Sequence, residues 1–356
     1  MANWELEMKK KIIIAGVSGV IGRAVLEKFE MDPEFQVIGL SRRSLDFKMS
    51  GTHISVDLTD RDDCRRKLNQ QSDVTHIAFA SYVEKISLHE QVGPNLTMLK
   101  NLIEILEEVS PVLEHVTLFQ GGKAYGCHLG AFKTPAKESD PRHMPPNFYY
   151  NQEDFLRGQS LGKLWSWTAL RPEAVCGFAV GNPMNLLMVI AVYAAISKHL
   201  GQPMRFPGTH IAYNVLYQVS DADVLASATH WAGNCETAKE EIYNITNGDY
   251  FRWSTLWPMF AEYFDMEYAP PIPICLKDTM ADKAEVWSEI TLQNGLNEYS
   301  FEQIASWQFG DFIFNCEFDN ITSTIKARTA GFHECIDSES MFRQKFDRLK
   351  QLKVIP

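Results

Sequence analysis

Three glycines spaced three residues apart could form a binding site for a phosphate group. Gly16, Gly19 and Gly22 follow the apolar run 11–15 and precede 23–29, where apolar residues recur at helical spacing. A turn of glycines lets the backbone approach a pyrophosphate closely, and the first turn of the following helix offers N–H groups without an intrahelical acceptor. The pattern therefore predicts a strand, a phosphate-binding turn and a helix. The alternative is a βα turn with a purely structural role.

Two arginines indicate which dinucleotide such a turn would bind. An NAD-binding protein normally has an acidic residue at the end of the second strand, where it holds the ribose 2′-hydroxyl. Here Ser41, Arg42 and Arg43 stand at that place. Guanidinium groups match the geometry and charge of a 2′-phosphate, so NADPH or NADP is the predicted cofactor. Asp57 and Leu58, after the third strand, are expected at the adenine edge. The alternative is that both arginines are solvated surface charges.

The tyrosines lack the usual catalytic partner. An ordinary short-chain dehydrogenase/reductase carries Tyr-x-x-x-Lys on one helix, where the lysine lowers the pKa of the phenol. No tyrosine of this chain has a lysine four residues further on: Tyr149 is followed there by Glu153, and Tyr150 by Asp154. Either the catalytic pair is lost, or the cation comes from another part of the chain.

The sequence around these tyrosines resembles a known family. Residues 147–154, NFYYNQED, resemble the N-F-Y-Y-x-x-E-D motif of the progesterone 5β-reductase/iridoid synthase-like family, a divergent branch of the extended short-chain dehydrogenases/reductases. The resemblance extends over nearly the whole chain, with further motifs in the same order. These motifs lie at 16–22, 41–43, 75–76, 120–123, 184–186, 192–196, 220–223, 247–249 and 309–311.

The resemblance implies a catalytic pair and a reaction. In this family the cation is a lysine from a separate loop motif, which falls on Lys123, and the tyrosine falls on Tyr149. The implied reaction is NADPH-dependent 1,4-reduction of an enone: hydride adds to the β-carbon, and the phenol donates to the carbonyl oxygen on which negative charge develops. The residues expected to bind the cofactor are Gly16, Ser18, Gly19, Val20, Ile21, Gly22, Ser41, Arg42, Arg43, Asp57, Leu58, Ser81, Tyr82, Gln120, Lys123, Tyr149, Val175 and Met184.

Three departures from the plant members of the family concern the substrate. Residues 79–82 replace a V-T-W-type sequence, 171–175 contain Glu-Ala where the plant members have Gly-Asn, and the segment from Lys123 to Phe132 is longer. A steroid or a monoterpenoid dialdehyde therefore does not follow as the substrate. The expected partner is a small apolar α,β-unsaturated carbonyl compound, and the candidate walls of its pocket are Tyr82, Phe132 and Phe309.

Short apolar segments alternate with helical patterns in the first half of the chain. This order indicates βαβ units and a Rossmann-type α/β fold, a doubly wound parallel sheet with helices on both faces, together with a smaller, mostly helical substrate lobe. The expected domains are an NADP-binding domain over 1–175 with return segments near 213–246, and the lobe over 176–212 and 247–356. Strands are predicted at 11–15, 35–40, 53–56, 74–79, 115–119, 167–170 and 241–245, and helices at 23–29, 96–109, 153–161 and 186–198.

The composition of the chain argues against several classes of protein. The 356 residues include 34 Lys+Arg and 45 Asp+Glu, so the formal net charge is −11. That is too acidic for a general nucleic-acid binder, whose affinity comes from cationic contacts with phosphates. The seven cysteines contain no C-x-x-C pair, which argues against a disulfide framework or a zinc site.

No secretory signal and no membrane-spanning segment is expected from the sequence. The longest apolar run, 186–196, is shorter than the roughly 20 residues that cross a bilayer, and residues 1–7 lack the apolar core of a secretory signal. We therefore expect a cytoplasmic protein without a metal, membrane or nucleic-acid partner, and a homodimer is an option.

Two other functions remain open at the level of sequence. The first is a carbonyl reductase or an epimerase-type short-chain dehydrogenase that uses the same tyrosine. The second is a non-catalytic sensor that binds NADP. The missing Tyr-x-x-x-Lys argues against the first, and the retention of both Tyr149 and Lys123 argues against the second.

Overall fold

The computed structural model describes residues 9–356. Residues 1–7, whose composition argued against a secretory signal, lie outside the described residues. The strands are β1 (Lys10–Ala15), β2 (Phe35–Ser41), β3 (Thr52–Ser55), β4 (His76–Phe79), β5 (His115–Phe119), β6 (Ser166–Pro172), β7 (Ala174–Cys176), β8 (Met204–Arg205), β9 (Val219–Asp221), β10 (Glu241–Ile245) and β11 (Tyr268–Ala269).

Helices follow most of the strands, and two 3₁₀ turns cover Gly122–Tyr125 and Glu236–Ala238. The helices are α1 (Val20–Glu30), α2 (Arg61–Leu68), α3 (Leu88–Val109), α4 (Phe148–Gln159), α5 (Leu186–His199), α6 (His210–Asn214), α7 (Ala222–Asn234), α8 (Trp253–Tyr263), α9 (Leu276–Thr279), α10 (Ala284–Asn294), α11 (Phe301–Ile304), α12 (Trp307–Phe314), α13 (Ile325–Thr329) and α14 (Ser338–Gln351).

Seven strands form the main sheet, in the order β10-β6-β5-β4-β1-β2-β3. Every pairing from β3 to β6 is parallel. The chain moves from β1 outward to β3 and then returns to the other side of β1 at β4, so the strand order reverses beside β1. A reversal of this kind opens a crevice at the carboxyl ends of the strands, where α/β folds bind ligands. The predicted doubly wound α/β fold is confirmed.

The chain divides into two compact units, which we call unit 1 and unit 2. Unit 1 holds the chain up to Gln120 with Met144–Leu170 and Ala226–Ile242, and unit 2 holds Gly121–His143, Arg171–Leu225 and Tyr243–Pro356. In unit 1 the side chains of Ile13, Leu99 and Trp167 are fully buried in one apolar core. The continuous apolar runs of the strands are typical of parallel strands covered on both faces.

The core of unit 2 surrounds α5. Every residue of this helix from Leu186 to Ser197 is buried, as expected of a helix that is apolar on all sides. Most of the aromatic residues of the C-terminal third pack in this core, among them Trp253, Trp257 and Phe314. Gly310 lets α12 approach α5, because a Cβ atom there would lie 2.8 Å from Cγ1 of Val189.

Two chemical features apply to the described residues as a whole. No helix within 9–356 combines the length and apolar character needed to cross a membrane. All seven cysteines are free thiols.

Two buried histidines make the stability of the protein sensitive to acid. His76 and His115 begin β4 and β5, and their ring centroids are 6.4 Å apart. Burial lowers the pKa of His76 to about 4 and that of His115 to about 3. Below pH ~6.5 the histidines of the unfolded chain bind protons, whereas the buried histidines of the native chain do not. The free energy of unfolding therefore decreases as the pH decreases, by up to ~1.4 kcal/mol per pH unit for each histidine.

Urea unfolding at pH 7, 6 and 5 measures this slope. We expect His115→Gln to lower it, whereas His333→Gln, at an exposed loop position, should leave it unchanged. Equal slopes in all three proteins would contradict the assignment.

Candidate cofactor and active site

The turn between β1 and α1 has no room for a side chain at Gly16 or at Gly22. Gly16 has φ 83°, a conformation that favours glycine. A Cβ atom on Gly16 would lie 2.8 Å from the carbonyl carbon of Ala80, and one on Gly22 would lie 2.2 Å from the oxygen of Gly16. The N-cap residue of α1, Gly19, supplies no side-chain acceptor to the first turn. A bare backbone at an uncapped helix N-terminus fits the pyrophosphate of a dinucleotide.

The other predicted residues of the turn differ in exposure. Ser18 is exposed, Ile21 is half-buried and Val20 is buried. The N–H groups of Gly16 and Val17 both donate to the oxygen of Leu40, at 2.9 and 3.1 Å, so the turn is fixed to β2.

The two arginines follow β2 on a constrained backbone. The hydroxyl of Ser41 donates to the oxygen of Arg43 at 2.6 Å, and the hydroxyl of Ser55 donates to the oxygen of Arg42 at 2.9 Å. Both arginine side chains are exposed. Hydrogen bonds from Thr59, together with the charge of Arg42, lower the pKa of Asp57. The end of β2 is therefore followed by two exposed guanidinium groups, which are accessible to an anionic ligand.

The loop after β4 is held by an asparagine that the sequence analysis missed. Asn95 of α3 is fully buried, and its amide bonds both backbone groups of Val83: it accepts from the N–H at 2.9 Å and donates to the oxygen at 2.8 Å. Gln152 of α4 donates to the oxygen of Asn95 at 2.9 Å. These hydrogen bonds hold the backbone at Val83, directly after Tyr82. The signal in the sequence is Asn95 itself, an amide residue directly before the helix predicted at 96–109.

Tyr82 is a neutral phenol in this loop. Its ring stacks on Phe148, with ring centroids 5.7 Å apart. Its hydroxyl is buried and has no hydrogen-bond partner among the described residues. Burial, with the charge of Glu84, raises the pKa of the phenol, so it stays protonated at neutral pH.

Tyr149 lies in the first turn of α4, which begins five residues before the predicted start at 153. The side chain of Asn147 accepts from the N–H of Tyr149 at 3.1 Å, and Gln120, directly after β5, donates to the oxygen of Tyr149 at 3.0 Å. The ring is 8% exposed and lies 4.5 Å from the ring of Phe148. The backbone that carries the phenol is therefore held from two directions.

The remaining predicted site residues belong to unit 2. Lys123 is half-buried in the 3₁₀ turn, and its carbonyl oxygen lies 3.1 Å from Nε2 of His143. Phe132 is half-buried against Phe318, with ring centroids 6.0 Å apart. Phe309 is half-buried and stacks on Phe312.

Val175 and Met184 lie on either side of the loop before α5. Val175 pairs with Ser220 across β7 and β9. The N–H of Met184 donates to the side chain of Asn182 at 2.9 Å, and the next residue, Asn185, caps α5.

Unit 1 brings together most of the predicted cofactor site. Gly16 follows β1, Arg42 follows β2, Ser81 follows β4 and Gln120 follows β5. These strands are parallel neighbours, so the four positions share the carboxyl edge of the sheet. Asp57 and Leu58 follow β3 at the same edge, and Tyr149 is bonded to Gln120 there.

The chain is similar in sequence to a family model and to two plant enzymes. The family model of the PRISE-like Rossmann-fold domain matches residues 14–356. An (S)-8-oxocitronellyl enol synthase of Nepeta racemosa is 34% identical over 365 residues, which cover 97% of this chain and 92% of that protein. A 3-oxo-Δ(4,5)-steroid 5β-reductase of Arabidopsis thaliana is 32% identical, with the same coverage of 97% and 92%.

Solved structures share the fold at low sequence identity. A UDP-glucose 4-epimerase of Thermotoga maritima, with UDP-glucose, superposes with a TM-score of 0.67 at 15% identity and covers 96% of this chain and 99% of its own. The UDP-glucose 4-epimerase of Thermus thermophilus in complex with NAD has a TM-score of 0.65 at 16% identity, with the same coverage of 96% and 99%. At these identities the likeness concerns the fold alone.

Proposed function

Because the chain belongs to the PRISE-like Rossmann-fold family, we propose that it is an NADPH-dependent oxidoreductase that reduces the C=C bond of α,β-unsaturated carbonyl compounds. The observation that carries the proposal is Tyr149, a buried phenol on a fixed backbone at the ligand-binding edge of the sheet. The steroid reductase among the relatives supports the reaction class, since a 3-oxo-Δ(4,5)-steroid is an enone.

The residues of unit 1 fit a dinucleotide cofactor that carries a 2′-phosphate, such as NADPH. Gly16, Gly19 and Gly22 would hold its pyrophosphate, and Arg42 and Arg43 would hold its 2′-phosphate. When bound, such a cofactor supplies the hydride that adds to the β-carbon of the substrate.

The protein's own contribution is to stabilise charge on the substrate oxygen. We assign to Tyr149 a hydrogen bond to the carbonyl oxygen, which strengthens as that oxygen becomes enolate-like. We assign to Lys123 an ammonium charge that favours the same anion. Because hydrogen bonds fix the backbone that carries the phenol, that backbone needs little reorganisation during the reaction. Solvent can protonate the α-carbon afterwards.

Arg42→Glu tests the choice of cofactor. A carboxylate repels the 2′-phosphate, and charge-assisted hydrogen bonds are worth ~1.5–3 kcal/mol, so we expect the ratio of NADPH to NADH affinity to fall about 10- to 100-fold. Titration calorimetry with both dinucleotides measures this ratio. Arg66→Glu, at another exposed position of unit 1, is the control and should leave the ratio unchanged. An unchanged ratio in Arg42→Glu would mean that the 2′-phosphate is held elsewhere.

Product analysis tests the reaction itself. NADPH oxidation is assayed with cyclic enones, open-chain enals and steroid enones, and the products are identified. A saturated carbonyl product is expected. An allylic alcohol would indicate a carbonyl reductase, and stoichiometric NADP binding without NADPH oxidation on any substrate would indicate a sensor.

A further inference from the structure

A carboxyl group that the proposed function does not use lies buried in unit 2. Glu173, between β6 and β7, is 6% exposed. Its Oε2 accepts a hydrogen bond from Nδ2 of Asn320 at 2.9 Å. Its Oε1 is buried without a partner among the described residues. Its N–H donates to the hydroxyl of Ser220 at 3.0 Å, so the backbone beneath the carboxyl is fixed.

This carboxyl lies against the turn that carries Lys123. A Cβ atom on Gly122 would lie 2.9 Å from Oε2 and 3.0 Å from Oε1 of Glu173, and 3.2 Å from Sγ of Cys127. Glycine at 122 is what allows this approach. A movement of the carboxyl group toward Gly122 would therefore displace the backbone next to Lys123.

The buried environment of the Glu173 carboxyl group favours its neutral form. Burial raises the pKa of Glu173 to about 7, and the hydrogen bond from Asn320 opposes that rise only in part. The titratable neighbours are the thiols of Cys127 and Cys316 and the phenol of Tyr217, whose pKa values burial raises, so all three are neutral near pH 7. The cation on the adjoining turn is Lys123, which lowers the pKa of Cys127 in part.

We propose that Glu173 is a positioning residue: its neutral carboxyl group supports the Gly122–Lys123 turn, and its ionisation releases that turn. A buried carboxylate with one hydrogen-bond donor is unfavourable, and we take the Gly122–Lys123 turn, which lies against both of its oxygens, as the part that moves when the carboxylate gains water. The kinetic consequence rests on the proposed function, because it assumes that Lys123 serves the reaction. The structural consequence does not.

Glu173→Gln separates the charge of this group from its shape. Glutamine keeps an oxygen for Asn320 but cannot ionise. We expect kcat/KM of the wild type for enone reduction to fall about tenfold per pH unit above pH ~7.5, and the alkaline limb of Glu173→Gln to start at least one unit higher. Glu317→Gln removes an exposed carboxylate from the same unit and should follow the wild type. Identical alkaline limbs in Glu173→Gln and the wild type would overturn the proposal.

Amide hydrogen exchange gives a second readout that does not depend on activity. After correction for intrinsic exchange, peptides covering 121–127 should lose about tenfold protection between pH 6.5 and 8.5 in the wild type and in Glu317→Gln, but not in Glu173→Gln. Wild-type protection that does not change with pH would overturn the proposal even if Glu173→Gln fails to fold. If the wild type reduces no enone, the proposed function fails, and the exchange data still decide the role of Glu173.

Discussion

Tyr149→Phe is expected to lower kcat for enone reduction by about 10²- to 10³-fold, while the affinity for NADPH changes less than threefold. Removal of one preorganised donor to a developing oxyanion typically has an effect of this size. The backbone bonds from Asn147 and Gln120 do not involve the hydroxyl, so the helix start should be preserved. Single-turnover kinetics and titration calorimetry on the same preparation measure the two quantities.

Tyr150→Phe is the matched control for this prediction. Tyr150 lies in the same first turn of α4 and is 6% exposed, close to the 8% of Tyr149. We expect its hydroxyl to contribute less than tenfold to kcat. Full activity in Tyr149→Phe, or an equal loss in both variants, would refute the assigned role of Tyr149.

Lys345→Met is expected to lower the free energy of unfolding by about 3–5 kcal/mol, the cost of leaving a buried charge without its partner. Nζ of Lys345 lies 2.7 Å from a carboxylate oxygen of Asp221 and 2.7 Å from one of Asp223. Lys345 is 8% exposed and Asp221 is 3% exposed, so this pair is shielded from water, whereas Asp223 is exposed. Despite its burial, the two carboxylates raise the pKa of Lys345.

Arg343→Met provides the comparison on the same helix. Arg343 pairs with Glu339 and Glu262 at the surface, at 3.3 and 3.7 Å. Exposed ion pairs contribute roughly 0–1 kcal/mol. Urea unfolding at pH 7 should therefore distinguish the two variants clearly, and a loss below 1 kcal/mol in Lys345→Met would show that Asp221 finds another partner.

The sequence predicts the sheet well because its signals are local. The apolar runs at 11–15, 35–40 and 115–119 coincide with β1, β2 and β5 to within one residue at each end. Most residues of each run are buried, with Gln36 the exposed exception, and polar or glycine residues bound each run, so one short window contains the whole signal. The same holds for α5, where the prediction of 186–198 ends one residue early.

The start of α4 could not be predicted from periodicity. Phe148, Tyr149 and Tyr150 are all buried, so the first turn shows no alternation between apolar and polar residues. What begins the helix is the side chain of Asn147, which caps it at the N–H of Tyr149. Asparagine is a preferred N-cap residue, so Asn147 is a helix-start signal. The predicted start at 153 rested on the periodic pattern instead.

Several motifs behind the family resemblance have structural roles. The N–H of Asp221 donates to the side chain of Asn247 at 2.6 Å, and the amide of Asn247 donates to the hydroxyl of Ser338 at the start of α14. Asp311 accepts from two N–H groups at the start of α9. In this chain, these motifs join separate elements of unit 2.

Pairs distant along the chain lie beyond sequence reasoning. Glu173 and Asn320 are 147 residues apart, and Lys345 is 122 residues from Asp223. The sequence marks Glu173 only through the Glu-Ala departure at 171–175, and it does not indicate the partner of any of these residues. Only the fold shows that these side chains are buried together.

The alternation of the chain between the two units affects how the protein is made. The polypeptide leaves unit 1 after Gln120, returns at Met144, leaves after Leu170, returns at Ala226 and leaves again after Ile242. A ribosome therefore releases three separate pieces of unit 1 before that unit is complete. Unit 2 must wait still longer, because Phe342 and Phe346 of α14 belong to its core. The core of unit 2 is therefore complete only after α14 has left the ribosome, and a nascent chain that lacks α14 would expose apolar residues of α5 and α8 to chaperones.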